Sequence, residues 1–402
     1  MFLKNRACVV SWKPFFALGM GWILSMFLFS LVNGAQYNAE GGLWVKDYRR
    51  FSRAARFEPS GVAWWPGTRR FVVVNDKQRW SPAFSVYVYD RKGRMRERDR
   101  FALHTRGKPL QMAKLEAVTA SRLQPGLFYA ISGFNRHHPA FRRIARFRLE
   151  KRRVPLEYLE RQFVYTEKQY RVHSARLLQT PDLRTVVQRV TGKAWFQVEG
   201  LTLTPDEQGL LVGIRCVGAS WRVPEHRVMV VRIDLRHPQR QPELILDKQL
   251  VALLGRPEGV SGLTYVPEFQ KYVLITSYED SKPKLPIQQV GGHVWVLPKD
   301  LKLWRNDKVW REGKRWRVKH KPEGLAVFTQ AQKPQTQKLL LIYDDDNDRK
   351  SKRGVCLKGC FDLLRNEAMF SVLPLPFAKN ITSKSHATSK NSTSSQRSTR
   401  MP

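Results

Sequence analysis

Cysteine is scarce in this chain. Four are present in 402 residues: Cys8, Cys216, Cys356 and Cys360. There is no Cys-x2-Cys pair and no histidine cluster to suggest a zinc site. Cys216 follows a strand-like apolar run and reads as core. In an oxidising compartment Cys356 and Cys360 can close a small loop, and the odd count leaves one thiol. Acidic residues are also few, 34 Asp+Glu against 71 Lys+Arg, for a net charge of +37. Such a field attracts anionic small molecules or polyanions. An acidic external medium, or solubility alone, accounts for the same charge. The basic residues are spread through the chain rather than gathered in one arm. No stacking motif accompanies them, and the Trp and Tyr residues mostly fall in strand-like runs. That argues against a specific nucleic-acid interface.

Long apolar runs are absent but for one. Residues Phe15 to Val32 form it, after Lys4, Arg6 and Lys13 and before Asn33-Gly34-Ala35. This is the pattern of a signal peptide, with Val32 and Gly34 at the −3 and −1 positions. The run is also just long enough to span a bilayer, so an uncleaved membrane anchor is the alternative. Either way, the remainder of the chain is expected to be exported, periplasmic or extracellular. The chain therefore divides into a leader over 1–34, one radial domain over 35–378 and a disordered Ser/Thr/Lys-rich tail over 379–402.

The radial domain is read from a motif that recurs five times. The copies are Ser60-Gly61-Val62, Glu116-Ala117-Val118, Glu199-Gly200-Leu201, Ser261-Gly262-Leu263 and Glu323-Gly324-Leu325, spaced 56, 83, 62 and 62 residues apart. Each precedes an apolar run such as Phe71–Val74, Leu210–Ile214 or Leu339–Ile342. Repeats of roughly 40–60 residues built from short strands predict an all-β fold, a β-propeller. Five blades are recognisable, with six as the alternative. Each repeat reads as four strands; in the third these are Val198–Pro205, Gly209–Cys216, Arg227–Leu235 and Pro242–Leu250. In the second, Leu156–Val164 is the expected fourth strand, and Thr166–Ala194 is read as a small helical insertion. Leu43–Phe51 and Met369–Leu375 are orphan strands expected to share one blade and close the ring.

A propeller brings equivalent residues of every blade to one axis. Ser60, Glu116, Glu199, Ser261 and Glu323 are thus expected to form a ring at one mouth of the channel. Arg136, Arg215, Glu279 and Asp344 end second strands or follow them at the same mouth. Three convergent carboxylates repel unless a cation or protons neutralise them. Oxygen-only ligands suit calcium, which takes about 6–8 of them. The bland alternative is that these groups bind neighbouring strand N–H groups and hold blades together.

The phrases Lys114-Leu115-Glu116-Ala117-Val118, Val198-Glu199-Gly200-Leu201-Thr202-Leu203 and Lys321-Pro322-Glu323-Gly324-Leu325-Ala326 resemble the repeats of secreted phytase-like-domain propellers. The order Ser, Glu, Glu, Ser, Glu also resembles the axial calcium ring of calcium-activated apyrases. Position by position, the resemblance implies one calcium ion held by Ser60, Glu116, Glu199, Ser261 and Glu323. The apyrases carry an extra acid where this chain has Leu115, which argues against nucleotide hydrolysis. The expectation is a calcium-dependent hydrolase of phosphorylated or other anionic esters. Arg136 and Arg215 would clamp the anion, and Glu279 or Asp344 would act as base. The alternative is a non-catalytic envelope or extracellular protein with a structural metal and a basic, polyanion-binding surface.

Overall fold

The second strand of each repeat is apolar on both faces because both faces are covered. In the computed structural model, Phe71–Val74, Leu339–Ile342 and the residues between Leu210 and Ile214 are buried on either side of the sheet. The model describes residues 35–37, 43–45, 49–51, 59–76, 84–101, 103–105, 108–151, 170–179, 182–278, 291–312, 315–318, 320–330, 333–343 and 369–375. They form five blades around an axis. Blade 1 is Pro59–Trp65, Arg70–Asn75, Phe84–Tyr89 and Met95–Phe101. Blade 2 is Leu115–Ala120, Leu127–Ser132, Ile144–Lys151 and Tyr170–Leu177. Blade 3 is Trp195–Leu203, Gly209–Gly218, Pro224–Asp234 and Glu243–Lys248. Blade 4 is Gly259–Val266, Lys271–Tyr278, Gly291–Pro298 and Arg315–Val318. Blade 5 takes Pro322–Gln330, Lys333–Tyr343 and Met369–Pro374 from late in the chain, and its outer strand, Arg49–Arg50, from near the beginning.

The core is divided among the blade interfaces. One apolar cluster lies between each pair of neighbours, including blades 5 and 1, where Ala326, Phe328 and Leu340 meet Val62, Phe71 and Tyr87. Stacking sheets around a ring is what lets every inner and second strand be buried on both faces.

Two expectations are corrected. Leu43–Phe51 does not lie in a single blade. Arg49–Arg50 pairs antiparallel with Met369–Phe370, as ring closure requires, but Leu43–Val45 runs parallel to Trp316–Arg317 of blade 4. The outer strand of blade 4 has only four residues, and Leu43–Val45 covers the edge it would leave open. In blade 2 the fourth strand is Tyr170–Leu177, inside the expected insertion, and not Leu156–Val164, which lies outside the described residues. That edge strand reads Tyr-Arg-Val-His-Ser-Ala-Arg-Leu and buries little beyond Tyr170 and Ala175, so its apolar signal is thin. The helical part of the insertion is α1, Leu183–Thr191. Asp182 caps its start, Leu183, Val186 and Val187 form its buried face, and Gly192 ends it at φ 70°. Among the described residues no helix is long and apolar enough to cross a membrane. The leader, the tail, Cys356 and Cys360 lie outside the described residues.

Candidate functional site at the axial ring

Each inner strand carries a β-bulge at the repeated motif. The register slips between Pro59 and Gly61, Leu115 and Ala117, Val198 and Gly200, Val260 and Gly262, and Pro322 and Gly324. The residues passed over are Ser60, Glu116, Glu199, Ser261 and Glu323. A bulged residue is released from the ladder and its side chain is re-aimed. All five are buried. The residue after each is Gly or Ala because inner strands of neighbouring blades approach closely there. A Cβ on Gly61 would stand 2.8 Å from Ala117 Cα, and one on Gly324 3.0 Å from Gly61 Cα. The cavity left between the inner strands at Glu199, Ser261 and Glu323 is about 10 Å³, room for one water at most.

The acids of the ring are neutralised by the chain itself. Lys114 Nζ lies 2.6 Å from Glu116 Oε1 and 3.3 Å from Asp76 Oδ2. Arg215 Nη1 reaches both oxygens of Glu199, at 2.6 and 2.8 Å. Gln197 Nε2 donates to Glu199 Oε1 at 2.6 Å, and Ser261 Oγ to Oε2 at 3.1 Å. Ser261 also bonds Ser277. Lys321 Nζ lies 2.6 Å from Glu323 Oε1. Protons complete the balance. Burial pushes Glu116 up to about 7 against the pull of Lys114, and Glu199 and Asp76 push the same way. Burial likewise holds Glu323 well above the carboxylate range, with Lys321 opposing and Glu199 adding to it. Burial disfavours the charge on Lys114, but Glu116 and Asp76 outweigh it and keep the ammonium charged.

Backbone strain aims these groups. Lys114 and Phe134 adopt φ of 51° and 58°, in the left-handed region that costs a non-glycine residue about 1–3 kcal/mol. The two are linked through Gly133, whose N–H donates to Lys114 O at 2.9 Å and whose carbonyl accepts from Val198 N at 2.9 Å. The loop after blade 2's second strand is thereby pinned over Glu116.

A further buried acid, outside the ring, lies at the same mouth in blade 4. Glu258 precedes Gly259, whose Cα faces the backbone of Arg215. Both Glu258 oxygens lie 3.0 Å from His293 Nδ1, and Thr276 Oγ1 donates to Oε2 at 2.5 Å. Arg256 Nε donates to Oε1 at 2.7 Å. Burial opposes the charge on Glu258, but His293, Arg256 and Thr276 hold the carboxyl below its ordinary range. Glu258 and His293 are almost wholly buried.

Of the expected catalytic groups, Arg215 joins the ring as the partner of Glu199. Arg136 is exposed, with its guanidinium 4.8 Å over the Phe141 ring rather than against Arg215. Glu279 and Asp344 lie outside the described residues. As placed, each acid of the ring is paired with a cation of the chain itself. Three cations already occupy the ring's acids, and among the described residues no three His, Cys, Asp or Glu side chains are grouped to hold a metal. Lys114, Lys321, Gln197 and the Glu258–His293 pair were missed. The first three had a signal in the sequence. That signal is the recurrence itself: Lys114-x-Glu116, Lys321-x-Glu323 and Gln197-x-Glu199 each set a donor two residues before a ring glutamate.

No protein-family model matches the sequence, and no curated protein matches it. Solved structures do align with it. A luciferin-regenerating enzyme aligns over 82% of this chain and 96% of its own, at 10% identity and TM-score 0.39. The periplasmic gluconolactonase of Pseudomonas aeruginosa aligns over 77% and 74%, at 13% identity and TM-score 0.30. An α-L-arabinofuranosidase from Lactobacillus brevis aligns over 79% and 92%, at 9% identity and TM-score 0.37. At these values the comparison goes no further than the general fold, and their activities are their own.

Proposed function

We propose that this chain is an exported propeller hydrolase that acts on a phosphorylated or other anionic ester at the mouth of its axial ring. The observation that carries the reading is the carboxylate-held imidazole, Glu258–His293, beside the Arg215–Glu199 pair. A carboxylate on Nδ1 fixes the tautomer of the ring and leaves Nε2 as the basic nitrogen. His293 would take a proton from water as it attacks the ester and return it to the leaving oxygen. Basic side chains at the mouth would hold the anion. The motif resemblance to secreted phytase-like propellers, and the leader-like segment over 1–34, support the ester class and export. Calcium enters no step, because the ring supplies its own counter-charges.

A non-catalytic binding module is the second reading. It is favoured by the ring itself, whose acids are tied internally, with Glu199 also bonded across to Ser261 of blade 4. Turnover separates the two. The purified protein is screened against chromogenic phosphomonoesters, phosphodiesters, carboxylic esters and lactones, with calcium and with chelator. The expected outcome is turnover that falls at least about 100-fold in His293→Asn and Glu258→Gln while the melting curves stay cooperative. Absence of turnover on every class, or turnover untouched by both variants, leaves the binding module.

A further inference from the structure

Two segments meet at the mouth outside the ring: the loop over residues 133–143 of blade 2, and the connection that carries α1. There two guanidinium groups converge. Arg142 Nη2 and Arg184 Nη2 each lie 3.1 Å from one atom, Nδ1 of His137. His137 and Arg184 are 47 residues apart in the chain. Two nitrogens on one atom are at most about 6 Å from each other. A neutral imidazole has one acceptor lone pair, so His137 satisfies only one of the two donors. Arg142 Nε is committed to the Arg136 carbonyl at 2.8 Å. The nearby acid, Asp182, is used by the helix cap: Oδ1 accepts from Arg184 N at 3.0 Å and Oδ2 from Thr185 Oγ1 at 2.7 Å. Among the described residues no carboxylate pairs with Arg136, Arg142 or Arg184. Burial, then the charge of Arg184, hold the Arg142 guanidinium below its ordinary value. Like charges are drawn together here from separate elements; Asp182 offsets them only in part, and no carboxylate among the described residues is paired to either guanidinium.

We propose that Arg142, Arg184 and His137 form a binding site for a phosphoryl group, with Arg136 at its rim. Two guanidinium groups whose Nη2 atoms lie within about 6 Å of each other can each hold an oxygen of one phosphate, and arginine is the side chain best shaped for that contact. Binding here requires no catalysis. Only its link to turnover rests on the hydrolase reading, in which this site would hold the substrate's anion beside the ring.

The test is calorimetric titration with inorganic phosphate at about 150 mM salt, where long-range attraction by a basic surface is screened. The wild-type protein should show saturable one-site binding. Arg142→Gln and Arg184→Gln should each weaken it about tenfold or more, the loss of a charge-assisted bond. Arg184→Lys, which keeps the charge and loses the fork, should fall between and guards against a misfolded Gln variant. Arg189→Gln, on the same helix and with the same change in net charge, should bind like wild type. No saturable binding, or equal weakening in Arg189→Gln, overturns the site. Titrations with glucose 6-phosphate and with phosphatidic-acid vesicles then tell a soluble phosphoester from a lipid headgroup. Phosphate binding of the expected pattern without turnover on any ester would leave this site standing and remove the hydrolase reading.

Discussion

Glu116 shows how a buried acid lives with a lysine 2.6 Å away. Its carboxyl titrates near 7, above the 4.5 it has when exposed. The folded state therefore holds a proton that the unfolded chain releases between about pH 4.5 and 7. The unfolded state binds fewer protons in that window, so stability falls as pH rises through it. A shift of this size is worth at most about 3 kcal/mol. Urea unfolding at pH 5 and pH 8 should show the wild-type protein losing stability at the higher pH, and Glu116→Gln losing less. An equal loss in both proteins would mean that another group carries it. The position of Glu116 was legible from the repeat, and its environment was not. The repeat puts three acids in register, and an external cation is the simplest way to balance them. The lysine two residues earlier was in plain view, but only the folded backbone, with Lys114 at φ 51° and the bulge at Glu116, shows that the two side chains meet.

The bulged inner strand is the element that makes the ring, and it was half legible. The small residue after each ring position marked the inner strand in all five repeats, although each strand begins before it. That it marks a bulge became visible only in the slipped registers. The cause is the approach of neighbouring inner strands, a contact between residues too far apart in sequence to read together. At Gly61 a Cβ meets backbone, Ala117 Cα at 2.8 Å and the Glu116 carbonyl at 2.9 Å, which cannot swing aside as a side chain can. Gly61→Ala should therefore cost about 1–3 kcal/mol as overpacking, seen as a lower melting temperature. Ala117→Gly, where the Cβ is already accommodated, should cost less. The outer strand of blade 2 shows the opposite limit. Its arginines and exposed face carry almost no period-two signal, so in sequence Tyr170–Leu177 merges with the helical insertion.

At the scale of the whole molecule the axis is a balance of charges. Lys114, Arg215 and Lys321 pair with the acids of the ring on which a calcium ion was expected. Removing divalent ions should then leave the melting curve of the wild-type protein unchanged. Replacing two of the cations, in Lys114→Gln with Lys321→Gln, frees two carboxylates and should create a calcium-dependent rise in melting temperature, because a ligand that binds only the folded state stabilises it. A chelator-sensitive wild-type curve would restore the metal. The five-blade count was legible because repetition is a property of sequence. The ring's closure was legible only in part, since the leading strand splits between two blades. That closure also sets an order of events. Blades 1 to 3 are each built from consecutive strands, but blade 5 waits for Arg49–Arg50 to find Met369–Phe370, some 320 residues away. Bringing such distant segments together costs about 5 kcal/mol of chain entropy, against only two residues of pairing. The neighbouring blades must therefore already be stacked and hold the two segments side by side. Until the clasp forms, the edge of Met369–Pro374 stays open to other chains, so refolding at high concentration is where this protein is most exposed to misassembly.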